Sequence, residues 1–385
     1  MKIGHKLLIP QNIAPPNVKS LAIFDTNGNK KGTIPLGNLK PKDIGSKLYS
    51  SLLLSDIHTF AISTGGDTEA NTDYIRALKF AQNNADFVCI SGDLTYYGHT
   101  PDLENYRTLT ETNRGDVPVY AITGNHEYWG RWCTPVYDID IPNVIHNYTG
   151  YPLCYTITHK DNPTISENDV FIFVGIARTE DANLCTAFSD ETLQWLYEAL
   201  EENRNKRCFL FHHPFLRGTQ FCGDAIENYT ASDLITQTHK NVFISLLSHY
   251  HNVIHFHGHS HEKLNSQDYT QKLDPPLPAN YDCALGCHSV HIPSLSYPYD
   301  VFTGVRVKDA TKSEGYLMDV YENHIVLRGW DFVIGKTIPI ANYCLDTTIK
   351  PIEANTYVDA TGTIVTNTKS VSGIAVAGRT ISGCY

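Results

Sequence analysis

The sequence predicts an α/β domain. Short apolar runs (Leu52 to Leu54, Phe87 to Ile90, Val117 to Ile122, Phe209 to Phe211) alternate with segments whose apolar residues recur at helical spacing. Each of these runs is followed by a polar stretch rich in Asp, Asn and His, at the C-terminal end of a strand, where α/β folds place their sites. With 385 residues and 42% hydrophobic content, the chain can bury one large core and carry small additions at either end.

Residues 1–48 read as a small N-terminal β element. Ala22-Ile23-Phe24 and Gly32-Thr33-Ile34 flank Asp25-Thr26-Asn27-Gly28-Asn29, a polar turn of hairpin type. The main domain is expected over residues 49–345. Within it Tyr74, Ala77, Leu78 and Ala81 mark one helix, and Leu193, Leu196, Tyr197 and Leu200 mark another behind a capping candidate, Ser189. Ser289 to Ile292 then reads as a strand. Gly315 to Tyr321 and Ile325 to Trp330, joined by Glu322-Asn323-His324, read as a hairpin that closes a second sheet. Residues 346–385 form a β-rich tail or linker, with strand-like Thr356 to Val358 and Thr363 to Val365 around an Asp359-Ala360-Thr361-Gly362 turn.

The formal net charge of −11 argues against a nucleic-acid duplex or an anionic membrane as the main partner, since the overall field repels both. No apolar stretch approaches the roughly 18 residues of a membrane span, and Met1 to Pro10 lacks the apolar stretch of a secretory signal. The expected location is therefore cytoplasmic or particle-associated. The ten cysteines are scattered without paired spacing, and Cys283 and Cys287 lack partners for a zinc site, so reduced structural thiols are expected.

Five stretches carry the chemistry: Asp56-Ile57-His58, Gly92-Asp93, Gly124-Asn125-His126-Glu127, His212-His213-Pro214 and Gly258-His259-Ser260-His261. Carboxylate, amide and imidazole donors together suit first-row metals, and a carboxylate that bridges lets two ions share a pocket. One such piece alone is a common turn; five in one order specify a site.

In that order the five motifs resemble the calcineurin-like metallophosphoesterase superfamily over roughly residues 50–332. The resemblance implies a four-layer α-β-β-α sandwich of two mixed sheets. It also implies two metal ions (Mn, Fe or Zn), one on Asp56, His58, Asp93 and His261 and the other on Asp93, Asn125, His212 and His259, with Asp93 bridging. His212 is preferred to His213 because the superfamily's ligand stands two residues before the proline. His213 is then expected to support a ligand or to face substrate with Asn125. Gly92-Asp93-Leu94-Thr95-Tyr96 also fits the Gly-Asp-x-x-Tyr motif of purple acid phosphatases, whose tyrosine ligates ferric iron. Those enzymes begin with Asp-x-Gly, and His58 fills the tyrosinate's slot here, so Tyr96 is expected off the metal.

The function implied is hydrolysis of a phosphoester, with an edge to diesters, by a metal-bridging hydroxide in which Asp93 takes part as the shared ligand. Two ions about 3.5–4 Å apart neutralise the phosphoryl oxygens and lower the pKa of water from about 15.7 to about 7. His126, beside Asn125, is expected to protonate the leaving group, and Glu127 to bond the loop. Arg131 is the first candidate for a phosphate contact, ahead of Tyr96, Tyr97, Tyr128, Trp129 and Arg178. The substrate is expected to be a small phosphoester or a phosphate-containing polymer. The alternative is a structural or receptor-binding component of a phage-like particle, because the two terminal additions look like those of phosphoesterase domains in tail-associated phage proteins. His255 and His257, on one face of a strand, are expected to serve packing.

Overall fold

In the computed structural model the described residues are 20–24, 30–35, 45–64, 68–128, 146–178, 185–186, 188–215, 237–264, 287–300, 307–309, 311–352, 356–358 and 362–366. Among them, strands β1 (Ser20–Phe24) and β2 (Lys30–Pro35) form the antiparallel N-terminal hairpin. The first large sheet begins with β3 (Lys47–Leu54), β4 (Phe87–Ile90) and β5 (Val119–Ala121), which run parallel to one another. The second contains β6 (Cys154–Ile157) and β7 (Asp169–Val174), paired antiparallel. A short pair, β8 (Ala177–Arg178) with β9 (Cys185–Thr186), follows. The second sheet continues with β10 (Arg207–His212), β11 (Val253–His257) and β12 (His288–His291), all parallel to β7. Its order is β12-β11-β10-β7-β6.

After a short pair, β13 (Tyr299–Asp300) with β14 (Val307–Lys308), the chain forms β15 (Glu314–Tyr321), β16 (His324–Asp331) and β17 (Lys336–Asp346). The β15–β16 hairpin sits where the sequence places it, but it does not close the second sheet. β15 pairs antiparallel with β3, so the hairpin extends the first sheet in the order β17-β16-β15-β3-β4-β5. Hairpin spacing is a local signal, whereas the choice of sheet depends on an edge contributed more than 250 residues earlier. The second sheet is instead closed at that side by β12, the strand read at Ser289 to Ile292.

Among the described residues four helices of 13 to 17 residues pack on the sheets: α1 (Thr68–Asn84), α2 (Thr100–Asn113), α3 (Asp190–Glu202) and α4 (Gln237–His249). At the start of α3, Ser189 Oγ accepts from Thr192 N at 3.2 Å and Thr192 Oγ1 accepts from Ser189 N at 2.7 Å, a capping box that satisfies two donors otherwise left open. Strand parity sorts the side chains into three apolar layers. Leu52, Leu54, Val88 and Ile90 pack under Tyr74, Leu78 and Tyr106 of α1 and α2. Val170, Ile172, Cys208 and Leu210 pack under Leu193, Leu196 and Phe243 of α3 and α4. Between the sheets lie Leu53, Phe87, Cys89, Phe171, Phe173, Phe209, Phe211 and Phe256. Both faces of these strands are buried, so the strands read as unbroken apolar runs. The fold is thus a four-layer α-β-β-α sandwich of two mixed sheets.

At the end of the sandwich away from the polar motifs, Arg207 joins the sheets. Its guanidinium is 2% exposed and grips Asp169 through two bonds of 2.8 Å, while also donating to Tyr321 O and Thr347 Oγ1. Tyr49 donates to the same carboxylate at 2.6 Å. In the tail, β18 (Thr356–Val358) and β19 (Ile364–Thr366) pair antiparallel, and Ile352 and Val358 pack into the layer between α3/α4 and the second sheet. Cys89 and Cys208, both buried, are free thiols. Among the described residues no helix is long and apolar enough to cross a membrane.

Candidate metal centre

The loops after β3, β4, β5, β10 and β11 meet at one end of the sandwich. Those after β3 and β4 run on side by side beyond their strands: Asp56 N donates to Gly92 O at 3.1 Å, and His58 N to Asp93 O at 3.0 Å. Within the second sheet the loops after β10 and β11 are tied likewise, with Gly258 N donating to His213 O at 3.0 Å, and Leu295 N, after β12, donates across to Ser55 O of the first sheet at 3.0 Å. The close approach depends on glycine. A Cβ at Gly258 would collide with Ser55 and Asp56, and one at Gly124 would collide with Asp93.

Among the described residues five non-glycine residues have positive φ: Asp56 (51°), His58 (44°), Asp93 (51°), His259 (74°) and His261 (61°). Such conformations are disfavoured for side chains bearing a Cβ and cost on the order of 1–3 kcal/mol each, so they persist only where the surroundings impose them. Here all five turn a polar side chain toward the same point. One group consists of Asp56, His58, Asp93 and His261, and a second of Asp93, His213 and His259; within each, one ligand atom per residue lies within 4.8 Å of the others. Asp93 belongs to both. Asn125 Oδ1 lies 3.2 Å from His213 Nε2 and so adjoins the second group.

The contacts inside the cluster ask for cations. His58 Nε2 and His261 Nε2 face each other at 3.2 Å, and His261 Nε2 is 3.0 Å from Asp56 Oδ1. Asp56 and Asp93 are fully buried, and Asp56 Oδ1 and Asp93 Oδ2 receive no well-aligned hydrogen bond among the described residues. Their other oxygens are fixed by backbone: His259 N donates to Asp56 Oδ2 at 3.0 Å, and His126 N to Asp93 Oδ1 at 2.9 Å. Burial would raise both carboxyls, but His261 and His213 around Asp56, and His213, His126 and His58 around Asp93, hold them well below the usual range. Burial works against charge on His213 too, and the two carboxylates overcome it, raising that imidazole to about 9. Buried carboxylates against imidazole nitrogens form an oxygen and nitrogen donor set that fits first-row divalent ions.

His213 is oriented for such a role. Its Nδ1 donates to Ser91 O at 2.6 Å, which leaves Nε2 facing Asp93 Oδ2 at 3.2 Å. The expectation that His212 is the ligand and His213 its support is therefore corrected. His212 ends β10 on the same face as Cys208 and Leu210, and its ring stacks on Phe188 at 4.3 Å under α3 and α4. His213, one residue past the strand, is released from that alternation and turns into the cluster. Parity was the available signal: Phe209 and Phe211 point between the sheets, so position 212 faces the helices.

His126 donates from Nδ1 to Tyr96 O at 2.6 Å and points Nε2 at the cluster, 3.8 Å from Asp93 Oδ2. Burial lowers its pKa, while the Asp93 carboxylate and the bond to Tyr96 O oppose that shift. Glu127 holds loops: Oε1 accepts from Thr95 N at 2.9 Å and Oε2 from Gly124 N at 2.7 Å. Burial, and then the nearby Asp93 charge, raise its carboxyl to about 7. Tyr128 is a packing residue whose hydroxyl donates to Ile176 O at 2.6 Å. Tyr96 stacks on Phe60 at 4.5 Å, and burial raises its hydroxyl's pKa. Arg131 and Trp129 lie outside the described residues, as does the side chain of Arg178.

Two features of the site escaped the sequence reading. Ser294 and Ser296 donate to Asp56 O at 3.1 and 3.2 Å and hold the first loop from behind. Tyr297 lies against the rings of His58 and His261, at centroid distances of 4.7 and 4.4 Å. Both belong to the segment after β12, which carries no metal-ligand motif.

No curated protein matches the chain significantly. Among solved structures it resembles a conserved uncharacterized protein, a predicted phosphoesterase, from Streptococcus pneumoniae TIGR4 (11% identity, 78% of this chain and 99% of that one, TM-score 0.34). It also resembles a single mutant of Vps29 from Entamoeba histolytica (12%, 77% and 98%, 0.29) and vacuolar protein sorting 29 from Cryptosporidium parvum (13%, 77% and 97%, 0.31). The family profile described as calcineurin-like phosphoesterase matches residues 50–263, a span that takes in all five motifs. Because that span is more than half of the 385 residues, the chain belongs to the calcineurin-like phosphoesterase family.

Proposed function

We propose that the chain is a binuclear metal-dependent phosphodiesterase. The observation that carries this reading is the sharing of Asp93 between two ligand groups, Asp56, His58, Asp93 and His261 on one side and Asp93, His213, His259 and Asn125 on the other. Two ions, manganese, iron or zinc, when bound there would neutralise phosphoryl oxygens and make hydroxide available near pH 7.

The protein's own residues supply the rest. His126 presents Nε2 to the cluster with its tautomer fixed by Tyr96 O, the arrangement needed to hold a proton for a departing alkoxide. Glu127 keeps the two loops that bear Asp93 and Asn125 in register. The positive charge facing Asp56 and Asp93 comes from histidines, and no lysine or arginine pairs with either carboxylate among the described residues. A diester brings one negative charge and a monoester up to two, which favours the diester.

The direct test is elemental analysis of the purified chain combined with hydrolysis of bis-p-nitrophenyl phosphate and p-nitrophenyl phosphate, with and without added manganese, zinc or iron. Near two ions per chain and faster diester turnover are expected. A chain that takes up no metal and hydrolyses neither ester under any addition would defeat the proposal.

A further inference from the structure

Beside the two ligand groups stands a surface of rings. Tyr297 lies against His58 and His261, and Tyr299 continues the surface 5.8 Å from Tyr297 and 5.5 Å from His261. From the other side Tyr96 comes within 6.3 Å of Tyr297; Phe60 stacks behind it at 4.5 Å, and Tyr97 stands edge-on to it at 4.6 Å. Each of these five rings is partly exposed, whereas the tyrosines of the core, such as Tyr49, Tyr74 and Tyr316, are at most 1% exposed. A residue that only packs in the core is covered; these five keep part of their surface accessible beside the ligand groups.

The surface is neutral. Its side chains are four phenols and one phenyl ring, and the chain's net charge is −11. Such a surface gains nothing from a polyanion. It favours a flat ring through desolvation and stacking, with little regard to hydrogen-bonding pattern.

We propose that this aromatic surface binds the organic part of the phosphodiester, and that this part carries a flat ring, as a nucleoside does, rather than a short alkyl or polyol chain. The proposal rests on the phosphodiesterase reading above. It assigns Tyr96, Tyr97, Tyr297 and Tyr299 to specificity and leaves bond cleavage to the metal cluster and His126.

The test compares two esters with the same leaving group, thymidine 5′-(p-nitrophenyl) phosphate and methyl p-nitrophenyl phosphate, on the full chain loaded with manganese. The nucleoside ester should have the higher kcat/KM by about 5- to 150-fold, the range that stacking of one base supplies. Tyr97→Leu and Tyr299→Leu should each lower kcat/KM for the nucleoside ester at least threefold more than for the methyl ester. A ratio near one in the unaltered protein, or equal losses on both esters in the variants, overturns the proposal. If neither ester is hydrolysed, the phosphodiesterase reading fails, and calorimetric titration of the manganese-loaded chain decides the surface. Tighter binding of thymidine 5′-phosphate than of methyl phosphate supports it; equal binding, or none, overturns it.

Discussion

Two sets of buried histidines lie a few residues apart in this chain and have different fates. His255 and His257 belong to β11 and face the helices with Val253; His259 and His261 belong to the loop that follows and face Asp56 and Asp93. All four are at most 5% exposed. Burial alone pushes His255 down to about 3, and its ring packs 5.4 Å from Phe243 with Nδ1 3.1 Å from Ser289 Oγ. The loop histidines differ in having positive φ and carboxylate neighbours. His212 and His213 repeat the contrast in placement, though without a positive φ, across the end of β10. A histidine inside a strand is committed to one face of the sheet, whereas one just past the strand's end can be turned toward a site, at a cost in backbone strain.

The largest expected effect tests the shared ligand. Asp93→Ala should lose turnover by more than about 10³-fold, the scale of removing one fixed charge from a transition state, and should lose tight binding of at least one ion. His255→Phe should keep the full metal content. Elemental analysis of the two variants side by side checks this, and loss of an ion in His255→Phe would erase the distinction between the two sets. Next, His126→Ala should retain both ions and lose about 10²–10⁴ in kcat on an alkyl diester with a poor leaving group. Undiminished turnover of that ester would remove His126 from the mechanism.

At the other end of the sandwich the expected effect is on stability. Arg207→Leu leaves Asp169 charged and buried, and should cost about 3–5 kcal/mol in denaturant unfolding. A loss below about 1 kcal/mol would show that the bridge between the sheets is incidental. The histidines of the packing set predict a pH dependence. His255 and His291 are depressed to about 3 and about 4, first by burial, so they stay neutral when folded while the unfolded chain takes up protons below about 6.5. Their contribution is present above pH 6.5 and lost as pH falls toward 4, by at most about 1.4 kcal/mol per pH unit for each histidine. His255→Phe should flatten the slope measured on the metal-free chain; an unchanged slope would show that His255 does not contribute.

The smallest effect has the opposite sign. Burial raises Glu314 from 4.5 to about 7, so the stability allowed by its neutral form is fully present below pH 4.5 and lost as pH rises through about 7. Glu314→Gln can still accept from Leu264 N, and should gain at most about 3 kcal/mol at pH 8 and nothing at pH 4. Equal stability of the two proteins at pH 8 would contradict this.

Much of this protein was legible in order along the chain. The apolar runs before Asp56, Asp93 and Asn125 became β3, β4 and β5, the Ser189 cap starts α3, and the Glu322-Asn323-His324 turn joins β15 to β16. These are local outcomes of strand alternation, capping and turn chemistry, acting over a few residues. The motifs likewise carry, in local order, Asp56, His58, Asp93, Asn125, His259 and His261, which the structure brings to one cluster.

Tertiary structure decided what depends on residues far apart in sequence. It put the β15–β16 hairpin against β3 rather than in the second sheet, since an open strand edge is created by the whole fold. It chose His213 over His212 because β10 is covered by α3 and α4 on the face that His212 occupies. It brought Tyr297, Ser294 and Ser296 behind and beside Asp56 and His58 from a segment with no ligand motif. The sequence by itself determined which donors the chain offers and where its strands end. Which side chains meet was decided by packing, because a contact between distant residues depends on the layers around both of them.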